Sequence, residues 1–308
     1  MIYFYYLNSK MSLNRPIWKL RDWIDESKLN YYYLCLNPRA IQLLEKNPEK
    51  INWKSLSKNS AAIELLEKNT EKISWSLLSL NTNAIDLLKK NQEKIDWNYL
   101  SENPAGIELL KENKSKIYWY KLSLNSNAAE LLEQNPEKIN WYKLSENSAA
   151  IELLKKNKSK IFWSLLSKNS NAIELLKDNQ DNIDWSFLCM NKNPSIIDLL
   201  KKNPEKINWW CLSQNSNAIE LLEKNIEKIY WPYLCVNENP DIIELLKNNQ
   251  DKIQWNYLSA NPLIFELDYE AMKKNNETMY EELIKEVMKP SRVFKNPDYD
   301  YIEELFGD

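Results

Sequence analysis

Apolar and polar positions recur in one phrase along most of the chain. The phrase reads I-x-W-x-x-L-S-x-N-x-x-A-I-x-L-L-x-x-N-x-x-K. Its tryptophan returns at Trp53, Trp75, Trp97, Trp119, Trp141, Trp163, Trp185, Trp209, Trp231 and Trp255. Successive tryptophans lie 22 residues apart, except for steps of 24 from Trp185 to Trp209 and from Trp231 to Trp255. Counting back 22 from Trp53 reaches Tyr31, which heads Tyr31-x-x-Leu34-Cys35-x-Asn37 and begins an eleventh unit. A fixed period of this size marks a repeat architecture.

Each unit predicts two short helices. The residue before the tryptophan is often a good N-cap. Asn52, Ser74, Asp96, Asn140, Asp184 and Asn208 can each accept an orphan N–H of the first turn. The tryptophan then shares one face with the leucine and serine three and four places on, as in Trp97, Leu100 and Ser101. Pro232, directly after Trp231, fits only a first turn. The next asparagine starts a second helix, with proline at its first position in Asn103-Pro104 and Asn261-Pro262. This helix turns Ala62, Ile63, Leu65 and Leu66, and their equivalents, toward its neighbours. It is expected to end at a second asparagine, such as Asn69 or Asn113, in the left-handed conformation that terminates many helices. In the longer units two extra residues fall between the helices, and Ile196 and Ile242 replace the usual alanine; a local bend is expected there.

One unit cannot bury its apolar face alone, so units must stack and the stack must be capped. The sequence therefore predicts an all-α solenoid of eleven short two-helix repeats over 29–267. An N-terminal helical cap is expected at 1–28, carrying Trp18, Leu20, Trp23 and Ile24, and a C-terminal cap or tail at 268–308. Met279 to Met288 predicts a longer closing helix, stopped by Pro290. The indole column is expected inside the shared core. A leucine-rich-repeat-like α/β solenoid has a similar period, but it needs L-x-L alternation for its strand, and this unit shows A-I-x-L-L at helical spacing.

Composition narrows the chemistry. The 308 residues include no histidine and only two glycines, Gly106 and Gly307. Dyads and zinc sites that need imidazole are excluded. So are phosphate loops, dinucleotide fingerprints and nucleophile elbows, which need clustered glycine. No catalytic, cofactor-binding or metal-binding residue is assigned, and a non-enzymatic protein is expected. Pairs such as Glu64/Glu67 and Glu220/Glu223 sit beside lysines at helical spacing, the pattern of a solvated face. The net charge is −3, and residues 29–267 carry thirty basic and thirty acidic side chains. That balance argues against nucleic-acid binding. Cys35, Cys189 and Cys235 occupy the serine slot; with Cys211 they read as small packing residues of a reducing compartment. The start MIYFYYLNSK is too short for a secretory signal, and Met11 is a second candidate start. No apolar run suffices to span a membrane, so no membrane span is expected; the scattered cysteines suit a cytoplasmic setting.

The units Ile95-Asp96-Trp97-Asn98-Tyr99-Leu100-Ser101-Glu102-Asn103-Pro104 and Ala218-Ile219-Glu220-Leu221-Leu222-Glu223-Lys224-Asn225 resemble the short Trp/Leu tandem repeats encoded in many copies by giant DNA viruses of amoebae and algae. The entry from Trp18 to Leu29 and the ending Lys289-Pro290-Ser291-Arg292-Val293 also resemble that group's termini. The resemblance covers essentially the whole chain. It implies a non-enzymatic viral repeat protein, in the host cytoplasm, the viral factory or the virion, and it carries no catalytic or ligand residues with it.

Candidate binding residues lie where the repeat leaves its sequence free. Positions one before, two after and five after the tryptophan face away from the predicted core and change between units, as in Asp96/Tyr99/Glu102 and Tyr230/Tyr233/Val236. A fixed framework beneath a variable face is how solenoid binders are built. Exposed tyrosine, phenylalanine and methionine there would anchor a protein partner. The candidates are Tyr99, Tyr118, Phe187, Met190, Tyr230, Tyr233 and Tyr257. The expected function is a scaffold for protein–protein interaction with a viral or host partner. One alternative is a substrate adaptor whose acidic C-terminal segment docks host machinery. Another is a single-stranded RNA reader with one repeat per base, which the charge balance disfavours.

Overall fold

The computed structural model describes residues 16–287. It is an all-α repeat solenoid, and its only strands among the described residues are β1, Trp18–Leu20, and β2, Phe265–Leu267. The leucine-rich alternative is thereby excluded, since no repeat contributes a strand of its own. The chain forms two compact units. One spans 20–265 and holds the repeats; the other joins the segments before and after it.

The fourth repeat shows the local logic. Asp96 caps the first helix, Trp97–Glu102, through bonds from the Asn98 and Tyr99 N–H groups. A 3₁₀ turn, Pro104–Gly106, runs into the second helix, Ile107–Glu112. A further 3₁₀ turn, Lys114–Lys116, leads to the next repeat. The caps at Asn52, Asp96, Asn140, Asp184 and Asn208 form as expected, whereas the Ser74 side chain makes no cap bond.

The asparagine after the second helix departs from expectation. Asn69 has φ −137° and ψ 50°, and no non-glycine residue among those described has positive φ. Its Nδ2 instead donates to the Leu65 carbonyl at 2.9 Å, and Asn91 and Asn113 repeat the bond. A last-turn carbonyl is satisfied by the side chain, so the backbone has no need of the left-handed turn.

The repeats are bound to one another by the asparagine six places after the tryptophan. Eleven such residues, from Asn37 to Asn261, are almost fully buried. Each donates twice through Nδ2 to two carbonyls of the preceding repeat, at 2.8–3.2 Å. Each accepts through Oδ1 from the N–H two places on, at 2.8–3.1 Å. One side chain thus satisfies two buried carbonyls and one partly buried N–H, groups that would be costly to leave unpaired. The serine slot adds a second tie. Ser57 Oγ accepts from the Ser74 N–H at 3.0 Å and donates to the Trp53 carbonyl at 2.7 Å. At Cys35 the sulfur accepts from the Asn52 N–H in the same way, at 3.3 Å. The insertions in the longer units do not interrupt this pattern, because Asn215 and Asn261 still reach the two equivalent carbonyls.

The ladder has no end within the repeat unit. Asn37 in the first repeat donates to the carbonyls of Ser259 and Asn261 in the eleventh, at 3.1 and 2.9 Å. The Asn30 N–H donates to Ser259 Oγ at 2.9 Å, as at the other junctions whose slot holds a serine. Arg39 reaches the Pro262 carbonyl at 3.2 Å, where several repeats use an asparagine such as Asn83. The solenoid closes into a ring. Its eleventh unit is assembled from both ends of the chain. Trp255–Ser259 supplies the first helix, while Glu26–Lys28 supplies the closing 3₁₀ turn. Of the segment 1–28, expected as a helical cap, residues 1–15 lie outside the described residues, and no α-helix forms among 16–28. Trp18–Leu20 is a strand paired with β2.

The core differs from expectation in one column. Leu34, Leu56, Leu78, Leu100 and their successors, together with Leu44, Leu66, Leu88 and Leu110, are fully buried. The ten repeat tryptophans are only partly buried. A lysine ammonium lies over nine of them, and over Tyr31, at 4.4–5.2 Å from the ring centroid. The indole edges the core and presents a face to a cation instead of lying inside. The exception is Trp163, where Asn182 takes the lysine slot.

In the other unit, the Asp268 N–H donates to the Ile17 carbonyl at 2.8 Å, and Lys19 pairs with Glu266 at 3.5 Å. Tyr269–Val287 forms a helix that contains most of the predicted closing helix. Pro290 and the acidic segment 289–308 lie outside the described residues.

Candidate interaction wall

Several first helices pack closely on that of the next repeat, as Trp141–Glu146 does on Trp163–Lys168 and Tyr31–Leu34 on Trp255–Ser259, whereas no two second helices pack as closely. In a closed ring the closer-spaced elements lie at the smaller radius. The first helices therefore form a concave wall, and their outward positions are its surface.

That surface has two aromatic arcs of different character. Through repeats nine, ten, eleven and one run Trp210, Tyr230, Tyr233, Tyr257, Tyr33 and Tyr32. The Trp210 and Tyr233 rings lie 4.5 Å apart, Tyr230 and Tyr233 5.2 Å, and Tyr33 and Tyr257 6.3 Å across the closure. Partial desolvation first, then the neighbouring Cys211, Tyr230 and Tyr257, push the Tyr233 phenol above its usual value. The positions one before and one, two and five after the tryptophan hold no charged side chain in these four repeats.

Tyr118, Tyr120, Tyr142 and Phe162 form the other arc, with Tyr142 and Phe162 edge to face at 5.3 Å. Here charges intervene. Lys143 lies 5.3 Å from the Tyr120 ring, Lys121 pairs with Glu102 at 2.7 Å, and Lys168 pairs with Glu146 at 2.7 Å. The hydrogen bond to Glu102 raises the Lys121 ammonium above its usual pKa.

Of the residues selected from sequence, Tyr118, Tyr230 and Tyr257 are exposed, at 50%, 39% and 41%, while Tyr99, Phe187, Met190 and Tyr233 are partly buried. Tyr230, Tyr233 and Tyr257 share the uncharged arc, and Tyr118 belongs to the opposite one. Tyr99 lies under the Lys121 ammonium at 5.9 Å. Met190 lines a shallow depression with Val236, Gln214 and Lys168. Trp210, Tyr32, Tyr120 and Tyr142 escaped the sequence reading because they stand one place after the tryptophan, a slot not counted as free. Its variation, from Lys54 to Ser76 to Tyr120 to Trp210, was the available signal. Tyr33 joins the arc only through ring closure.

The four cysteines are buried and unpaired. Burial pushes the Cys189 and Cys235 thiols up to about 11, so neither is a nucleophile at neutral pH.

No family model matches the chain, and no similar curated protein or solved structure is found.

Proposed function

We propose that the ring is a non-enzymatic scaffold that binds a protein partner on its first-helix wall. The observation that carries this is the strip of partly exposed rings from Trp210 to Tyr32 on a framework of fixed, buried asparagines. Aromatic anchors on a rigid support lose little conformational entropy on binding, the property that concentrates binding energy at interfaces. The partner class, following the family resemblance, is a viral or host protein met in the cytoplasm. A photo-crosslinking residue in place of Tyr233 tests it. A discrete adduct should form from Tyr233 and not from Glu152, which is exposed on a second helix. Equal adducts from both positions would refute the wall as the binding surface.

A further inference from the structure

We infer that the Lys143 ammonium receives a carboxylate of the partner, an acidic side chain set between apolar residues, on the arc of Tyr120, Tyr142 and Phe162. The inference rests on the proposed interaction wall and adds to it a second contact, selected by charge.

The repeat itself shows where the carboxylate belongs. Lys121 and Lys143 stand two places after the tryptophan in repeats five and six, and the other nine repeats hold no lysine there. Lys121 Nζ donates to Glu102 Oε2 at 2.7 Å, and Glu102 stands five places after the tryptophan of the preceding repeat. For Lys143 that position is Leu124, half-buried on the same surface. Glu146, three places beyond Lys143, is taken by Lys168 at 2.7 Å. Among the described residues no carboxylate pairs with Lys143. Of two equivalent lysines, then, one has its counter-ion from the chain and the other has lost it to a leucine. An outside carboxylate over Leu124 would stand to Lys143 as Glu102 stands to Lys121.

The surroundings strengthen that attraction. Lys143 Nζ lies 5.3 Å from the Tyr120 ring centroid and 5.5 Å from that of Tyr142. The rings hold the ammonium without neutralising it, and half-burial weakens its screening by water. The lysines over the tryptophan column differ, being exposed and common to nearly every repeat. Tyr142 meets Phe162 edge to face at 5.3 Å, and Tyr120, Tyr142 and Phe162 are 50%, 45% and 46% exposed. These rings offer apolar contact to the residues on either side of the carboxylate. Phosphate is the competing anion. A phosphorylated side chain carries close to two charges and favours clustered cations. Lys121 and Lys168 are already paired here, which leaves one ammonium for one carboxylate.

The test uses the full chain and a fluorescein-labelled peptide, Ser-Phe-Leu-Glu-Phe-Leu-Ser, with versions carrying glutamine or phosphoserine in place of the glutamate. Anisotropy should show the glutamate peptide binding about tenfold more tightly than the glutamine peptide, the gain of one charge-assisted bond. Lys143→Met should bring the two peptides level. Leu124→Glu, which gives Lys143 the counter-ion that Lys121 has, should weaken the glutamate peptide by about the same factor. Leu80→Glu, the same change two repeats away, should alter it less than twofold. Far-UV spectra of the variants must match the parent; should Leu124→Glu unfold, Lys143→Met alone carries the comparison. Equal binding of the glutamate and glutamine peptides, tighter binding of the phosphoserine peptide, or no binding at about 1 mM would overturn the inference. Such a failure beside a discrete adduct at Tyr233 would remove only this contact. Charge-dependent binding at Lys143 without that adduct would keep it and remove the uncharged arc.

Discussion

Asn37 donates through Nδ2 to the carbonyl of Asn261, 224 residues further along the chain, at 2.9 Å. The same bond joins every other pair of adjacent repeats, so the junction between first and last repeat is chemically ordinary. Closure comes from the coupling used everywhere else in the ring.

Asn125→Ala should destabilise the ring by about 3 kcal/mol, because it strands the Ser101 and Asn103 carbonyls and the Asn127 N–H in or near the core. Asn125→Asp should cost more despite its shape. Its side chain offers no donor and places a carboxylate against two carbonyls at a site with no exposure. Urea denaturation of both variants measures the difference.

Hydrogen exchange should find no frayed repeat. In an open array the terminal units have one neighbour and exchange first. Here amides of Leu34 and Leu258 should be protected as well as that of Leu144, since all three belong to packed first helices. Asn37→Ala should raise exchange selectively in the first and eleventh repeats. Low protection of those two repeats in the parent protein would argue for an open solenoid.

Asn182→Lys should add the missing ammonium over Trp163 and stabilise by about 0.5–1 kcal/mol, the range for partly exposed cation–π pairs. Lys116→Met, which removes the ammonium 4.4 Å from the Trp97 ring, should cost a similar amount. A thermal melt reads both.

Alkaline conditions should expose the buried thiols. Burial disfavours the thiolate and pushes Cys189 and Cys235 up to about 11 in the folded protein, from an ordinary value near 9. Between those values the unfolded chain has lost its protons and the folded chain has not, so stability is complete below about pH 9 and falls as pH rises toward 11. The loss is about 3 kcal/mol per thiol. Cys189→Ser with Cys235→Ser keeps a hydrogen-bond acceptor in the slot and should flatten that decline, as measured by urea midpoints from pH 8 to 11.

Much of the ring was legible in the sequence, and its misses have physical causes. The tryptophan spacing fixed the eleven units and the helical spacing of Leu and Ile their class. Asn103 and Asn261 were correctly placed at helix starts, which is the work of Oδ1. The work of Nδ2 was missed because its acceptors belong to a neighbouring repeat, and no local pattern reveals where that carbonyl points. The tryptophans were placed in the core because hydrophobicity alone ranks them there. The lysine 19 places on, as from Trp53 to Lys72, was the sign that the ring face was spoken for. Closure accumulates from small rotations at each junction, so no single unit displays it. A hint lay in the fragments. Ser27-Lys28-Leu29-Asn30-Tyr31 resembles Glu71-Lys72-Ile73-Ser74-Trp75, and the eleventh unit breaks off after Pro262, so each end supplies what the other lacks. The uncharged arc spans this seam, and was visible from sequence only as two halves.

The split eleventh unit also constrains how such a protein can change over time. Closing a full circle with eleven modules requires about 33° at each step, against about 36° for ten or 30° for twelve. An open array gains or loses a module by simple duplication or deletion. Here a change of one would either leave a gap or force every junction to adjust at once. Copy number is therefore an integer that the angle between modules has locked, and point substitution along the wall is the freedom that remains.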